Sequence, residues 1–251
     1  MATTNKLVVY TAIMGEYDGL IPQPQFAGVD YVCFADANLS SNSWKIINVP
    51  KPIENDNTRS ARFYKILAHR HLKNYEKSIY IDGNFLLLQD PWPLVKMVLS
   101  KNSLAYFDHN QVDDARNCAY AEYDAILKIG QETGKFKDDP ESMHRLVEYM
   151  RSEGFPENSG LISSGVLIRN HNDREVVALM EDWWELVKNF SKRDQLSFDF
   201  ALWRNNFSNF TLLEGDIRRG NPWFYFVGHH RKSYTKKLMK LKFKKWFKEL
   251  F

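Results

Sequence analysis

KSIYIDGNFLLLQD, residues Lys77 to Asp90, runs from an apolar core segment straight into oxygen-bearing side chains. Ser78 to Ile81 is a short apolar run that reads as a buried strand. It stops at Asp82-Gly83-Asn84, and apolar residues resume at Phe85. A buried strand that ends in a carboxylate, a glycine and an amide oxygen delivers those oxygens to one spot at its carboxyl end. Open α/β sheets bind their ligands at that edge. Two oxygens either side of a glycine also suit a hard divalent cation, which completes its shell with phosphate and water. The same three residues are common in turns, so the tripeptide alone does not separate a turn from a site. The rest of the chain decides between them.

Working outward, strands and helices alternate. Leu7 to Ile13 and Tyr31 to Ala35 read as strands rich in β-branched and aromatic residues, and Trp44 to Val49 as a third. Asn57 to Leu72 reads as a helix capped by Asn57 or Thr58. After the Lys77–Asp90 stretch come a helix near Leu94 to Leu99, a strand from Ser103 to Phe107, helices over Ala115 to Gly130 and Pro140 to Gly154, and a strand from Leu161 to Arg169. Helices over Asp173 to Phe190 and Arg193 to Arg204 precede short strands at Phe210 to Leu213 and Trp223 to Val227. Nearly every strand is apolar on both faces. The pattern predicts an α/β protein with a mostly parallel sheet covered by helices on both sides. Asp36, Asp82 and Asp108 each follow directly on an apolar strand, and a parallel sheet gathers such positions on one edge.

Composition sets the limits. The chain has 251 residues, 44% hydrophobic and 26% charged, enough for one large domain with a core. No composition break occurs before about residue 231, so residues 1–232 are expected to form one domain and residues 233–251 an appendage. Cys33 and Cys118 have no metal-ligand spacing and read as reduced thiols of a cytoplasmic protein. The polar N-terminus and the short apolar run after it do not read as a signal peptide. Nine of the 34 Lys/Arg but one of the 31 Asp/Glu lie in residues 231–251. The remainder carries 25 basic and 30 acidic residues, a net charge of −5, which argues against nucleic acid as its partner.

Four constellations offer chemistry. Gly15 and Gly19 after the first strand do not form the dinucleotide fingerprint, and no phosphate-binding Gly-Lys-Ser/Thr motif occurs, which weakens oxidoreductase and NTPase readings. Thr11, Tyr17 and Asp18 are placed to line a nucleotide pocket instead. Arg59, Arg62 and Lys65 share a helix, with Arg62 and Lys65 three apart on one face that suits either a diphosphate or solvent. Asp194 and Gln195 open a late helix, where an acid serves as a cap or as a catalytic group. Gly228-His229-His230-Arg231-Lys232 offers a histidine that, with the Asp-Gly-Asn oxygens, makes a mixed site for Mn²⁺ or Mg²⁺. No zinc-hydrolase, nucleophile-elbow or kinase signature is present.

With those residues in order, the chain resembles a glycosyltransferase of the GT-A (Rossmann-like) fold, which implies a mixed, mostly parallel sheet flanked by helices. The segments VVYTAIMGEYDGL, VDYVCFAD, ARFYKILAH, YEKSIYIDGNFLLLQDP, RDQLSFDFALW and NPWFYFVGHHRK resemble more closely the glycosyltransferase-like domain of plant mucilage-related proteins and bacterial polysaccharide clusters. The resemblance runs from about residue 7 to residue 232. It implies that Thr11, Tyr17 and Asp36 hold the nucleotide, with Arg62 and Lys65 at the ribose or diphosphate. Asp82 and Asn84 stand where the family's metal-binding Asp-x-Asp stands, with Gly83 between them at the donor. His229 or His230 is the implied third ligand, Arg231 and Lys232 approach the phosphates, Ser164 and Gly165 lie by the donor sugar, and Asp194 and Gln195 lie near the anomeric carbon. Asn84 departs from the family pattern, because its oxygen carries no charge.

The implied activity is metal-dependent transfer of a sugar from a nucleotide-sugar donor, a UDP-sugar first, to a glycan or lipid-linked acceptor in surface polysaccharide synthesis. Asp194 is the general base if the reaction inverts, and a stabiliser of the cationic centre if it retains. Two alternatives remain: a non-catalytic nucleotide- or glycan-binding module of the same fold, which Asn84 favours, and a nucleotidyltransferase, against which Met14–Gly19 lacks a basic residue. Residues 234–251, YTKKLMKLKFKKWFKELF, read as a basic amphipathic helix with Met239, Phe243, Trp246, Phe247 and Leu250 on one arc. Such a helix suits an anionic membrane surface, which makes a peripheral position on the inner face of the membrane the expectation.

Overall fold

The computed structural model describes residues 6–15 and 20–228. Seven strands form the main sheet: β1 (Leu7–Ile13), β2 (Val29–Ala35), β3 (Lys45–Asn48), β4 (Lys77–Ile81), β6 (Leu104–Asp108), β7 (Ile162–Arg169) and β8 (Phe210–Leu213). Their order is β3-β2-β1-β4-β7-β6-β8. All neighbours are parallel except at β7, which runs against β4 and β6. Strands β5 (Phe85–Leu87) and β9 (Phe224–Phe226) form a separate antiparallel ribbon. The expected mixed, mostly parallel sheet is therefore present. One reversed strand brings the amino end of β7 to the edge where β2, β4 and β6 end.

The strands are apolar throughout because each supplies two cores. Val8 and Tyr10 of β1 face a core completed by α1 (Asn57–Ile66), α4 (Ala119–Thr133), α5 (Pro140–Ser152), α6 (Arg174–Asn189) and α7 (Asp194–Arg204). Leu7 and Val9 face a second core under α3 (Trp92–Val98) and the β5–β9 ribbon. Each fully buried Leu, Val or Phe stabilises the fold by roughly 1.5–3 kcal/mol. Cys33 and Cys118 are buried free thiols.

Three sequence expectations shift. The helix over Asn57 to Leu72 is two helices, α1 and α2 (Ala68–His71), broken at Leu67. The buried Arg169 guanidinium donates to the carbonyls of Lys65 and Ile66, satisfying the end of α1. The N-cap of α1 is Asp56, whose carboxylate accepts from the Arg59 N–H at 2.9 Å, rather than Asn57 or Thr58. The helix expected from Ala115 begins at Ala119, after a loop in which the Arg116 guanidinium donates to Glu122. The basic amphipathic helix expected over residues 234–251 lies outside the described residues. Among the described residues, no helix is long and apolar enough to cross a membrane.

Candidate active site

The Asp82–Asn84 tripeptide is both a turn and part of a cleft. The Phe85 N–H donates to the Asp82 carbonyl at 3.0 Å, closing a four-residue turn. Two further bonds hold that turn against the sheet: the Asp82 N–H donates to the Gly165 carbonyl, and the Val227 N–H donates to the Asn84 carbonyl, each at 2.9 Å. Its two side chains enter a cleft of about 630 Å³ at the carboxyl edge of the sheet. The cleft is also lined by Arg62, Gly83, Ser164, Gly165, Asp194 and Gln195.

Why these residues meet follows from β7. Its register against β6 jumps between Tyr106 and Phe107, so Ser164, Gly165 and Val166 have no β6 partner. A bulge of this kind re-aims a side chain beside a site. Here the Ser164 hydroxyl donates to Asp194 Oδ2 at 3.2 Å. Gly165 keeps the turn close: a Cβ there would lie 3.0 Å from Phe85 Cε2 and 3.3 Å from Asp82 Oδ2.

Four charges form the floor. Lys65 Nζ lies 2.5 Å from Asp194 Oδ2, and Arg62 Nε lies 3.2 Å from the same oxygen. Arg62 also reaches toward Asp82, with Nη1 4.0 Å from Oδ1. Lys65 is fully buried and Asp194 is 3% exposed, so neither charge is tolerable without the other. Burial opposes ionisation of Asp194, but Arg62 and Lys65 outweigh it and hold the carboxyl at about 2. An acid held that low is ionised at neutral pH and is a weak proton acceptor, so the environment of Asp194 suits an electrostatic role better than that of a general base.

Asp82 and Asn84 fit a hard cation. The Tyr80 hydroxyl donates to Asp82 Oδ1 at 2.7 Å, while Oδ2 accepts no hydrogen bond among the described residues. Burial and then Asp82 raise the Tyr80 pKa well above its usual value, which keeps that phenol a donor. Asn84 is 5% exposed, and its Oδ1 is buried with no hydrogen-bond partner. A buried amide oxygen without a partner is costly unless something else meets it. Two oxygens are thus available from one turn. No group of three His, Cys, Asp or Glu that could hold a metal occurs among the described residues. His229 and His230 lie outside the described residues, as do Tyr17, Arg231 and Lys232.

Other expected positions lie apart from the cleft. Thr11 is fully buried inside β1, while Ala12, Ile13 and Met14 line the cleft in its place. Asp36 accepts from the Gly15 N–H at 2.8 Å and pairs with Lys51 at 2.9 Å, so it anchors the loop after β1. Gly15 needs to be glycine: its φ is +65°, and a Cβ would fall 1.9 Å from Asn57 Nδ2. Arg59 donates to Asp56 and to the carbonyls of Val187 and Phe190, tying α1 to α6 and away from the cleft. Asp108 shares the sheet edge with Asp36 and Asp82 but lines a different cavity.

The sequence reading missed Tyr80, Lys137, Lys192 and Arg218, all of which line the cleft. Tyr80 was hidden as one more apolar strand residue. Lys192 sits next to Arg193 and so was legible as part of a basic pair at the start of α7. Lys137 and Arg218 lie in polar loops, with no periodicity to point inward.

The plant protein named "Probable hexosyltransferase MUCI70", from Arabidopsis thaliana, is 24% identical over 171 residues, 65% of this chain. The chain spans 28% of that relative's length. Among solved structures, the glycosyltransferase GlyE of Streptococcus pneumoniae TIGR4 aligns with 84% of this chain and 45% of its own, at 12% identity and a TM-score of 0.42. The mannosyltransferase Ktr4p of S. cerevisiae aligns with 80% of this chain and 66% of its own, at 10% identity and a TM-score of 0.42. Likenesses that distant carry no weight for the site. The match that does runs over residues 33–214, from β2 to the end of β8, and by it the chain belongs to the TOD1/MUCI70 glycosyltransferase-like domain family, with a GT-A-like fold.

Proposed function

We propose that the protein transfers a sugar from a nucleotide-sugar donor, a UDP-sugar first, to a glycan or lipid-linked acceptor in surface polysaccharide synthesis. The observation that carries this reading is the convergence of Asp82, the partnerless Asn84 oxygen, Arg62 and Asp194 in one cleft at the carboxyl edge of the sheet. Charge balance supports a divalent cation. Asp82, Asp194, Arg62 and Lys65 neutralise one another, so a donor diphosphate needs positive charge from elsewhere. Lys137 on the cleft wall supplies part of it, whereas Lys192, Arg193 and Arg218 there are paired with Asp138, Glu122 and Asp114.

Asp82 Oδ2 and Asn84 Oδ1 would hold Mn²⁺ or Mg²⁺. His229 or His230 is the proposed third ligand, two or three residues beyond Val227, which is bonded to the Asn84 carbonyl. When bound, the cation would neutralise charge that develops on the departing diphosphate. The protein's own residues do the rest. Arg62 and Lys65 fix the Asp194 carboxylate in place, and Asp194 with Gln195 presents negative and dipolar groups to the sugar's cationic centre. Ser164 and Gly165 form the wall beside that sugar. Arg231 and Lys232 are assigned to the phosphates, and Tyr17 to the loop region that receives the nucleotide, with Asp36 acting through Gly15; Thr11, buried inside β1, supports that loop from below without touching the donor.

Residues 1–232 form the catalytic domain in this reading, and residues 233–251 attach it to an anionic membrane on the cytoplasmic side. A binding module without chemistry is the second reading, favoured by the neutral Asn84. Incubation with a panel of UDP-sugars and Mn²⁺, with UDP release measured, separates the two. Release from one donor is expected. Tight UDP binding with no release from any donor would establish the binding module.

A further inference from the structure

A second cavity, of about 330 Å³, lies beyond the active-site cleft between α7 and the β6–β8 side of the sheet. It shares three elements with the cleft. β6 places Asp108 in the cavity, and the residue that follows it, His109, lines the cleft; β7 is preceded by Gly160 and Leu161 in the cavity and carries Ser163 to Gly165 in the cleft. α7 places Asp194 in the cleft and Asp199 in the cavity. Five residues of helix rise about 7.5 Å.

The lining of this cavity is built rather than incidental. Tyr106 is 3% exposed, its ring fixed by Phe198 and Phe210 at centroid distances of 5.0 and 5.3 Å. Its hydroxyl makes no hydrogen bond among the described residues and is open to the cavity, where it is free to meet a ligand. Asp199, 5% exposed, accepts from the Ile162 N–H at 2.9 Å through Oδ2, leaving Oδ1 without a hydrogen bond among the described residues. Gly160 makes room for that oxygen: a Cβ at Gly160 would lie 2.8 Å from Asp199 Oδ1, and its φ of +105° excludes other residues. Asp108 accepts from the Asn110 N–H through Oδ1. Trp203, 40% exposed, supplies an apolar face at the mouth.

We infer that this cavity is a carbohydrate subsite that takes a neutral sugar unit of the acceptor glycan. A sugar hydroxyl both donates and accepts, so adjacent hydroxyls satisfy the Tyr106 O–H as acceptors and the Asp199 and Asp108 carboxylates as donors. The C–H face of a pyranose ring covers the Trp203 indole. Two carboxylates exclude a phosphate. An ammonium ion satisfies the carboxylates but has no lone pair for the Tyr106 hydroxyl. Burial, with Asp108 beside it, raises Asp199 to about 7, which fits a carboxyl that meets hydroxyls rather than a fixed cation. The acceptor role rests on the transferase reading; the binding of a sugar does not.

The test reads binding without turnover. The indole N–H resonance of Trp203 is identified by its loss in Trp203→Phe. The full chain is then titrated with methyl glucoside, methyl galactoside, methyl mannoside and short glycans built from them. A saturable shift of that resonance, weakened about tenfold or more in Tyr106→Phe, is the expected result. The inference is overturned if no sugar moves the resonance, if Tyr106→Phe leaves the shift unchanged, or if methylammonium moves it where no sugar does. UDP release measured on the same samples keeps the two readings apart. Sugar binding without donor turnover overturns the transferase reading and leaves the subsite standing. Turnover without sugar binding here does the reverse.

Discussion

Lys65 sits in the interior of the protein, and Asp194 meets it there. Removing one member of a buried ion pair leaves the other unpaired, which costs more than the pair contributed. Lys65→Met is therefore expected to lower the stability of the fold by about 3 kcal/mol and to reduce UDP release, with Arg62 alone left to hold Asp194. The pH dependence has a definite sign. The folded-state pKa of Asp194 is lowered from 3.8 to about 2, so its contribution is present above about 4 and is lost as pH falls toward 2. Urea unfolding between neutral pH and about pH 3 checks this: the wild-type protein should lose stability more steeply than Lys65→Met in the acid window. Equal slopes would show that Lys65 does not hold the carboxyl down. At this scale the sequence revealed residue types but not their partners. Arg59, Arg62 and Lys65 look alike as helix cations, yet only contacts made more than a hundred residues away separate a tether to α6 from the floor of the site.

Elements were the most legible level. β1 follows its apolar run from Leu7 to Ile13 because β-branched and aromatic residues on both faces serve two cores. The direction of β7 was not legible, because a strand buried on both faces reads the same forwards and backwards. That reversal and its bulge bring Ser164 and Gly165 beside the Asp82 turn. Gly165→Ala tests the element. Its new Cβ would press on Phe85 and on Asp82 Oδ2, which stand 3.0 and 3.3 Å away. The expected outcome is a roughly tenfold higher Mn²⁺ requirement for UDP release, about 1.4 kcal/mol, with the melting temperature changed by only a few degrees. An unchanged Mn²⁺ requirement would separate the bulge from the donor site.

At the scale of the whole molecule, charge divides the chain. Residues 1–230 carry a net charge of −5, and nine Lys/Arg lie after them. Deleting residues 234–251 is expected to abolish sedimentation with anionic liposomes and to leave UDP release intact; liposome binding that survives deletion would place the membrane contact elsewhere. Fold and family were legible because many short motifs fall in the right order across most of the chain. The cavity beyond α7 was not, because Tyr106, Asp108 and Asp199 come from separate segments and look individually like core or strand-end residues. With the Asp82–Asn84 turn as the proposed metal site of the donor, a Mn²⁺ titration of UDP release from the responding UDP-sugar depends on both side chains. Asp82→Ala should cut release by about 10²-fold or more, and Asn84→Ala should raise the Mn²⁺ requirement while preserving turnover at saturation. Release from Asp82→Ala at the wild-type rate and the wild-type Mn²⁺ requirement would show that the turn does not hold the metal.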